Sequence, residues 1–155
     1  MTIRFAEHRD IPGMIELLKQ VGQVHHEIRP DLFRAGAQKY DEAALERLLA
    51  DDEHPILIAD LEGRVAGYAF CILQITENDP VLCDRKVLYI DDLCVEETLR
   101  GHGIATALYQ RTLDFARELG CDAVTLNVWC GNDSAMKFYE KSGFKPQKVG
   151  MEVIL

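Results

Sequence analysis

Two hydrophobic periods alternate along the chain and predict a succession of strands and helices. Short apolar or alternating runs predict strands over 2–6, 55–61, 65–75, 87–95 and 123–128, and a closing pair broken at Gly150 whose last strand is 151–155. Apolar residues spaced by three and four predict a helix from Ile104 and helices capped by Asp10, Asp41 and Asn132. The resulting order, β-α-α-β-β-β-α-β-α-β-β, is typical of a mixed α/β sheet with helices on both faces, here in one domain spanning 1–155.

The segment between the first two predicted helices has no clear period. Residues 23–39 include His25, His26 and the apolar pair Leu32 and Phe33. We expect a loop or a short helix here, with both histidines exposed to solvent. Residues 25–33 are then available to form one wall of a substrate site.

The balance of charge argues against a nucleic-acid partner. The chain has 155 residues, of which 17 are Lys or Arg and 26 are Asp or Glu, so its net charge is −9. An acidic surface is compatible with a cationic amine substrate, and equally with a surface that only keeps the protein soluble. No apolar run approaches the ~20 residues of a membrane span, and the first residues lack an apolar signal region, so we expect a cytoplasmic protein without a membrane partner.

The cysteines indicate neither a disulfide framework nor a metal site. Five cysteines stand at positions 71, 83, 94, 121 and 130, and no two of them form a CxxC pair. We therefore expect reduced thiols and no bound metal.

The most informative stretch runs from Tyr89 to Leu108. It predicts a buried strand, a turn that contains Gly101 and Gly103, and the start of a helix. A helix N-terminus reached through glycines presents free N–H groups and partial positive charge, so we expect a phosphate to bind there. A Walker A loop would need a Gly-Lys pair, which the chain lacks, and a dinucleotide fingerprint would need a third glycine where Thr106 stands. Neither of these two phosphate-binding motifs therefore fits the sequence.

Two motifs stand at matching places in the predicted order of elements. The run Arg100-Gly101-His102-Gly103-Ile104-Ala105 fits the pattern of Arg or Gln, two residues, Gly, one residue, then Gly or Ala. The run from Asn132 to Phe144 fits N-x-x-A-x-x-F-Y-x-x-x-G-F. Both patterns, together with the order of elements, resemble those of the GNAT superfamily of CoA-dependent N-acyltransferases.

The resemblance implies a mostly antiparallel sheet that splits open between its fourth and fifth strands, where acetyl-CoA binds as cosubstrate. Backbone groups of Leu93 and Val95 are implied to bind the pantetheine arm. The residues implied to hold the pyrophosphate, largely through backbone N–H groups, are Arg100, Gly101, His102, Gly103, Ile104, Ala105 and Thr106. Those implied to contact the pantetheine or to pack beneath it are Asn132, Ala135 and Phe138. Members of this family are often dimers, so a homodimer is a further expectation.

The implied reaction needs a base and an acid. An amine arrives protonated at neutral pH, so a base must remove its proton, and a departing thiolate is helped by an acid. We expect Asp91, on the central strand, to be the base, and Tyr139, at the family's tyrosine position, to be the acid. Asp92 falls on the opposite face unless a bulge intervenes, in which case the two carboxylates could exchange roles, and a water chain is a third route.

The function implied is direct acetyl transfer, in a ternary complex, from acetyl-CoA to an amine. The acceptor is a small amine such as a polyamine or an aminoglycoside, or an amine of a peptide or protein. The alternative is a non-catalytic acyl-CoA-binding sensor domain. Thiol release with any amine distinguishes the two.

Overall fold

The computed structural model describes residues 1–155 and contains one five-stranded sheet. The strands are β1 (Thr2–Phe5), β2 (Ile56–Leu61), β3 (Arg64–Thr76), β4 (Arg85–Val95) and β5 (Ala123–Leu126). The helices are α1 (Ile11–Ile28), α2 (Glu42–Leu49), α3 (Ile104–Glu118) and α4 (Asp133–Lys141), with short 3-10 turns at His8–Asp10 and Glu97–Leu99. The sheet order is β1-β2-β3-β4-β5, antiparallel except for the parallel pair β4-β5. The predicted mixed, mostly antiparallel sheet is confirmed.

Helices cover both faces of the sheet, and each face has its own core. Under α1 and α2 the buried apolar side chains include Met14, Leu18, Leu45, Ile58, Tyr68 and Phe70. Under α3 they include Leu57, Ala69, Ile90, Ile104 and Leu108. Adjacent residues of β2 and β3 enter opposite cores, as the two-residue period of a strand requires. None of the helices has the length and apolarity that a bilayer crossing demands.

Local sequence signals explain several element boundaries. Asp41 caps α2, accepting a bond from the Ala44 N–H at 2.8 Å, and Asn132 caps α4, accepting from the Ala135 N–H at 3.3 Å. Both predicted caps are confirmed. Gly63, at φ +85°, lies in the short turn between the end of β2 and the start of β3. This turn forms the tight β2-β3 hairpin that the sequence predicts.

Asp10 does not cap α1 as predicted. It precedes the helix but makes no capping hydrogen bond, because its carboxylate accepts from the Arg4 guanidinium at 2.7 and 2.8 Å and from the Glu7 N–H at 2.7 Å. Burial alone would raise the pKa of Asp10, but these donors outweigh it and lower the pKa. The side chain therefore ties β1 to the start of α1.

Helix α1 is longer than the sequence pattern indicates. It continues to Ile28, so His25 and His26 lie in its last turn, half-buried, and not in an exposed loop. These last turns pack against a loop instead of the apolar core, so no hydrophobic period is required of them. The helix ends before Pro30, which disfavours helical geometry at Arg29.

The two closing strands that the sequence predicts do not form. No backbone hydrogen bond joins residues 145–155 to the sheet, and the apolar side chains of Val149, Met151 and Val153 are exposed. A strand is held by its ladder of backbone bonds, and apolar content alone does not supply a ladder. Pro146 lacks a donor and Gly150 interrupts the segment, so the prediction from composition is wrong here.

Candidate active site

The sheet opens between β4 and β5. Pairing of these strands runs only from Val87 with Ala123 to Ile90 with Leu126, whereas β4 stays paired with β3 as far as Val95. Residues 91–95 of β4 consequently have no strand partner on their β5 side. Leu93 and Val95 lie in this unpaired stretch, which is the kind of strand edge that an extended ligand joins through backbone hydrogen bonds. The Val95 carbonyl also accepts a bond from the Arg100 Nε at 3.3 Å.

A bulge in β4 falls on the two candidate carboxylates. Phe70 of β3 pairs with Asp92, and the next residue, Cys71, pairs with Ile90, so Asp91 is the extra residue. The two positions of a bulge that oppose a single partner residue both point to that partner's side of the sheet. The simple two-residue period, which separates the carboxylates, is therefore interrupted here.

Contacts confirm that both carboxylates lie on the α1 and α2 face. The Tyr40 hydroxyl lies 3.2 Å from Asp91 Oδ2, and the Tyr68 hydroxyl donates to Asp92 Oδ2 at 2.7 Å. The rings of Tyr40 and Tyr68 both contact Phe70, with centroids 5.6 and 4.6 Å away. The sequence analysis placed Asp92 on the opposite face only in the absence of a bulge, and the bulge that the structure contains turns both carboxylates to one face.

The Asp92 carboxylate is destabilised by burial, and its charge influences Tyr139. Burial raises the pKa of Asp92 to about 6, although the Tyr68 hydrogen bond and the Lys39 charge oppose the rise. Burial also raises the pKa of Tyr139, and the nearby Asp92 carboxylate and Cys71 thiol raise it further. The fold thus brings Tyr139, from α4, into the electrostatic neighbourhood of β4.

Asp91 has a cationic partner that the sequence analysis did not identify. The Lys39 Nζ lies 2.6 Å from Asp91 Oδ2. The Asp91 side chain is 15% exposed and that of Lys39 is 47% exposed. The two residues are 52 positions apart in the sequence, and nothing local to either one signals the pair.

The predicted phosphate loop lies at the start of α3. Gly101 and Gly103 have φ of +81° and +80°, a geometry that side chains rarely adopt, and a Cβ at either would meet no atom within 4 Å. These glycines are therefore required by backbone conformation. Gly103 is the N-cap of α3 and offers no side-chain acceptor, unlike the caps of α2 and α4. The first-turn N–H groups of α3 consequently remain available to an anion.

The remaining residues of the loop divide between core and surface. The Ile104 side chain is buried in the α3 core, Ala105 is half-buried and Thr106 is exposed. The exposed His102 ring bonds back through Nδ1 to the carbonyls of Leu99 at 3.2 Å and Arg100 at 3.0 Å. Its side chain thus braces the loop.

Helix α4 is held to α3 by aromatic contacts that position Tyr139. The Phe138 ring contacts Tyr109 at 6.3 Å and Tyr139 at 5.2 Å between centroids. The Tyr109 hydroxyl donates to the Ser142 carbonyl at 2.9 Å, which fixes the end of the helix. Ala135 is half-buried on the same helix, one turn before Tyr139.

The loop between α1 and α2 packs against the segment that follows β5. The Phe33 ring contacts His25 at 5.0 Å and Trp129 at 5.2 Å between centroids. Burial lowers the pKa of His25, and the Lys39 charge lowers it further. Residues 25–33 thus pack against Trp129, an aromatic contact that the sequence analysis missed, and their role as the wall of a substrate site stays a prediction.

Solved structures share this architecture. A tetramutant of the BH1408 protein from Bacillus halodurans matches with a TM-score of 0.95 and 30% identity, over 100% of both chains. An aminoglycoside N-acetyltransferase, AAC(6')-Iy, in complex with CoA matches with a TM-score of 0.73 over 99% of this chain and 98% of that chain. At 17% identity, the second likeness concerns the fold alone.

Sequence relatives point to the same family. An uncharacterized N-acetyltransferase of Methanocaldococcus jannaschii is 29% identical over 102 residues, 66% of this chain and 44% of that protein. N-alpha-acetyltransferase 30 of Schizosaccharomyces pombe is 41% identical over 56 residues, 36% of this chain and 37% of that protein. The chain thus spans less than half the length of these relatives. The sequence model of the acetyltransferase (GNAT) family matches residues 21–144, and the chain therefore belongs to the acetyltransferase (GNAT) family.

Proposed function

We propose that this protein transfers an acetyl group from acetyl-CoA to an amine, directly and without an acyl-enzyme. One observation carries the proposal: the unpaired edge of β4 at residues 91–95 leads to the uncapped N-terminus of α3, and two carboxylates stand where that edge begins. An extended chain with a pyrophosphate at one end and a thioester at the other fits such a groove.

The residues present suit acetyl-CoA. Backbone groups of Leu93 and Val95, on the edge of β4 that β5 leaves unpaired, would pair with the pantetheine amides, and N–H groups from Gly101 to Thr106 would hold the pyrophosphate. Asn132, Ala135 and Phe138 would line the α4 side, with the Asn132 oxygen already committed to its capping bond. When bound, acetyl-CoA supplies an activated thioester carbonyl.

Asp91 is the proposed base. It lies at the mouth of the opening, and its partly exposed carboxylate can accept a hydrogen bond from an incoming ammonium. Asp92 is the second candidate, because a pKa of about 6 makes it a stronger base than an ordinary aspartate. The two carboxylates adjoin on one face, so either could take the amine proton and pass it to water.

Tyr139 is the proposed acid. A tyrosine phenol is protonated at neutral pH, and burial only raises the pKa of Tyr139 further, so the hydroxyl carries a proton that a departing sulfur can take. The packing of Phe138 against Tyr109 fixes the ring that carries this proton. Such a role affects turnover more than cosubstrate affinity, which makes it testable.

The proposed acceptor is a cationic amine, either a small molecule or the amine of a peptide. Two carboxylates at the opening and a net charge of −9 favour a cation over an anion. The names of similar proteins include both classes, an aminoglycoside acetyltransferase and an N-alpha-acetyltransferase. The aromatic wall of Phe33 and Trp129 would contact the acceptor.

The first experiment measures binding of acetyl-CoA by calorimetry, with NADH and ATP as controls, followed by thiol release with spermidine, an aminoglycoside and a peptide with a free α-amine. We expect binding of acetyl-CoA alone and thiol release with at least one amine. Absence of acetyl-CoA binding would remove the proposal entirely. Binding without release from any amine would favour the sensor-domain alternative.

A further inference from the structure

Asp91, the proposed base, already holds an amine. The Lys39 ammonium lies 2.6 Å from the Asp91 carboxylate, and the Tyr40 hydroxyl lies 3.2 Å from the same oxygen. Lys39 belongs to the loop between α1 and α2, outside any helix or strand, and its side chain is about half exposed. The chain's own ammonium thus occupies the place where the acceptor's ammonium must bind.

A transferable amine must hydrogen-bond to the base that takes its proton, and Lys39 meets this condition. We propose that Lys39 is an internal acetyl acceptor, modified by acetyl-CoA in the enzyme's own active site. The modification removes the positive charge that pairs with Asp91 and so frees this carboxylate for external amines. This inference rests on the proposed function.

Acetylation of Lys39 consumes one thioester and releases one thiol. Asp91 takes one proton from the Lys39 ammonium, and the Nζ lone pair attacks the thioester carbonyl carbon, forming a C–N bond. The C–S bond then breaks, and the sulfur leaves with the electron pair and takes a proton from Tyr139, the proposed acid, which regains one from solvent. The nitrogen loses its second proton to solvent, so one ammonium and one thioester give one amide, one thiol and one proton.

The charges around Lys39 determine how readily its amine reacts with an acylating reagent outside the active-site mechanism. Desolvation, the largest single effect, lowers the pKa of Lys39. The Asp91 hydrogen bond and the charges of Asp91, Tyr40 and Asp92 together outweigh it, so the pKa is raised. The His25 ring also faces this charge. A protonated amine does not attack a free acylating reagent, so the ion pair protects Lys39 unless the base and the thioester are brought together.

Lys19 is a matched control in the same chain. Its side chain is 52% exposed, against 47% for Lys39, and its Nζ lies 2.8 Å from the Glu16 carboxylate on the surface of α1. Both lysines are therefore half-exposed and paired with a carboxylate. Only Lys39 stands at the proposed base.

The experiment compares two reagents by peptide mass spectrometry on the purified full chain. With isotope-labelled acetyl-CoA, we expect Lys39 to be acetylated at least about 100-fold faster than Lys19, the lower end of what a positioned base contributes. With acetic anhydride and no acetyl-CoA, we expect Lys39 to react no faster than Lys19. This reversal of order between the reagents is the signature of transfer in the active site.

Two variants test whether the labelling of Lys39 depends on the Asp91 carboxylate or only on the solvent exposure of the lysine. In Asp91→Asn we expect Lys39 to lose its advantage with acetyl-CoA and to react faster with anhydride, since the ion pair that protects it is gone. In Lys39→Arg the acetyl label should disappear from this position while Lys19 stays as before. Equal labelling of Lys39 by acetyl-CoA with and without the Asp91 carboxylate would overturn the assignment.

The remaining outcomes distinguish the inference from the function on which it rests. If Lys39 is labelled no faster than Lys19 while an external amine drives thiol release, internal transfer is wrong and the acetyltransferase stands. If acetyl-CoA neither binds nor labels any lysine, and no amine drives thiol release, both fail together.

Discussion

The buried carboxylate of Asp92 predicts that the stability of the fold depends on pH. Its carboxyl has an ordinary pKa of 3.8, which burial raises to about 6 in the folded chain. The folded state therefore binds the proton more tightly than the unfolded state. Above pH 6 both states are ionised and the fold carries the full cost of the buried charge, and below 3.8 both are protonated and the cost is absent.

The size of this cost follows from the two pKa values. At about 1.4 kcal/mol for each pKa unit, the difference between 3.8 and about 6 corresponds to about 3 kcal/mol. Asp92→Asn removes the charge and keeps an oxygen that can accept from Tyr68. We therefore expect the stability of the variant relative to the wild type to be about 2 to 3 kcal/mol higher at pH 7.5 than at pH 4.0.

Urea unfolding of both proteins at the two pH values tests this expectation. The comparison cancels any fixed cost of burying the new amide group, because that cost is the same at both pH values. If the free-energy difference between the proteins does not change with pH, Asp92 titrates normally and the reasoning is refuted. Tyr68→Phe is a control of opposite sign: it removes the hydrogen bond that opposes the rise in the pKa of Asp92, so this variant should lose more stability than the wild type between pH 4.0 and pH 7.5.

Three further predictions concern the site. Tyr139→Phe should lower kcat at least about tenfold, as loss of a proton donor does, with the Kd of acetyl-CoA unchanged by calorimetry; an unchanged kcat would exclude Tyr139. Gly103→Val should weaken acetyl-CoA binding measurably, because a β-branched residue resists a φ of +80°, and normal affinity would mean that the loop is misassigned. Asp41→Ala and Asn132→Ala should each lose about 1 kcal/mol of stability as caps, but only Asn132→Ala should also weaken acetyl-CoA binding; equal affinities would limit Asn132 to capping.

Local chemistry made much of the fold predictable. The five strands of the sheet, the caps at Asp41 and Asn132 and the glycine turn before α3 follow from short-range periodicity, side-chain acceptors and φ preferences. The last turns of α1 and the closing strands were mispredicted for the opposite reason. Whether His25 is helical or Val149 is in a strand depends on what packs or pairs with it, which the local sequence does not encode.

The features of the candidate site also divide into those that the local sequence predicts and those that depend on tertiary packing. The sequence by itself predicted the glycine turn before α3 and the family, because the requirements of residues 100–106 are local to the backbone that they form. Only the tertiary structure decided that a bulge turns Asp91 and Asp92 to one face, that burial raises the pKa of Asp92, and that Lys39 pairs with Asp91 from 52 positions away. Strand register, desolvation and long-range charge pairs arise from the packing of distant segments, so no local pattern records them.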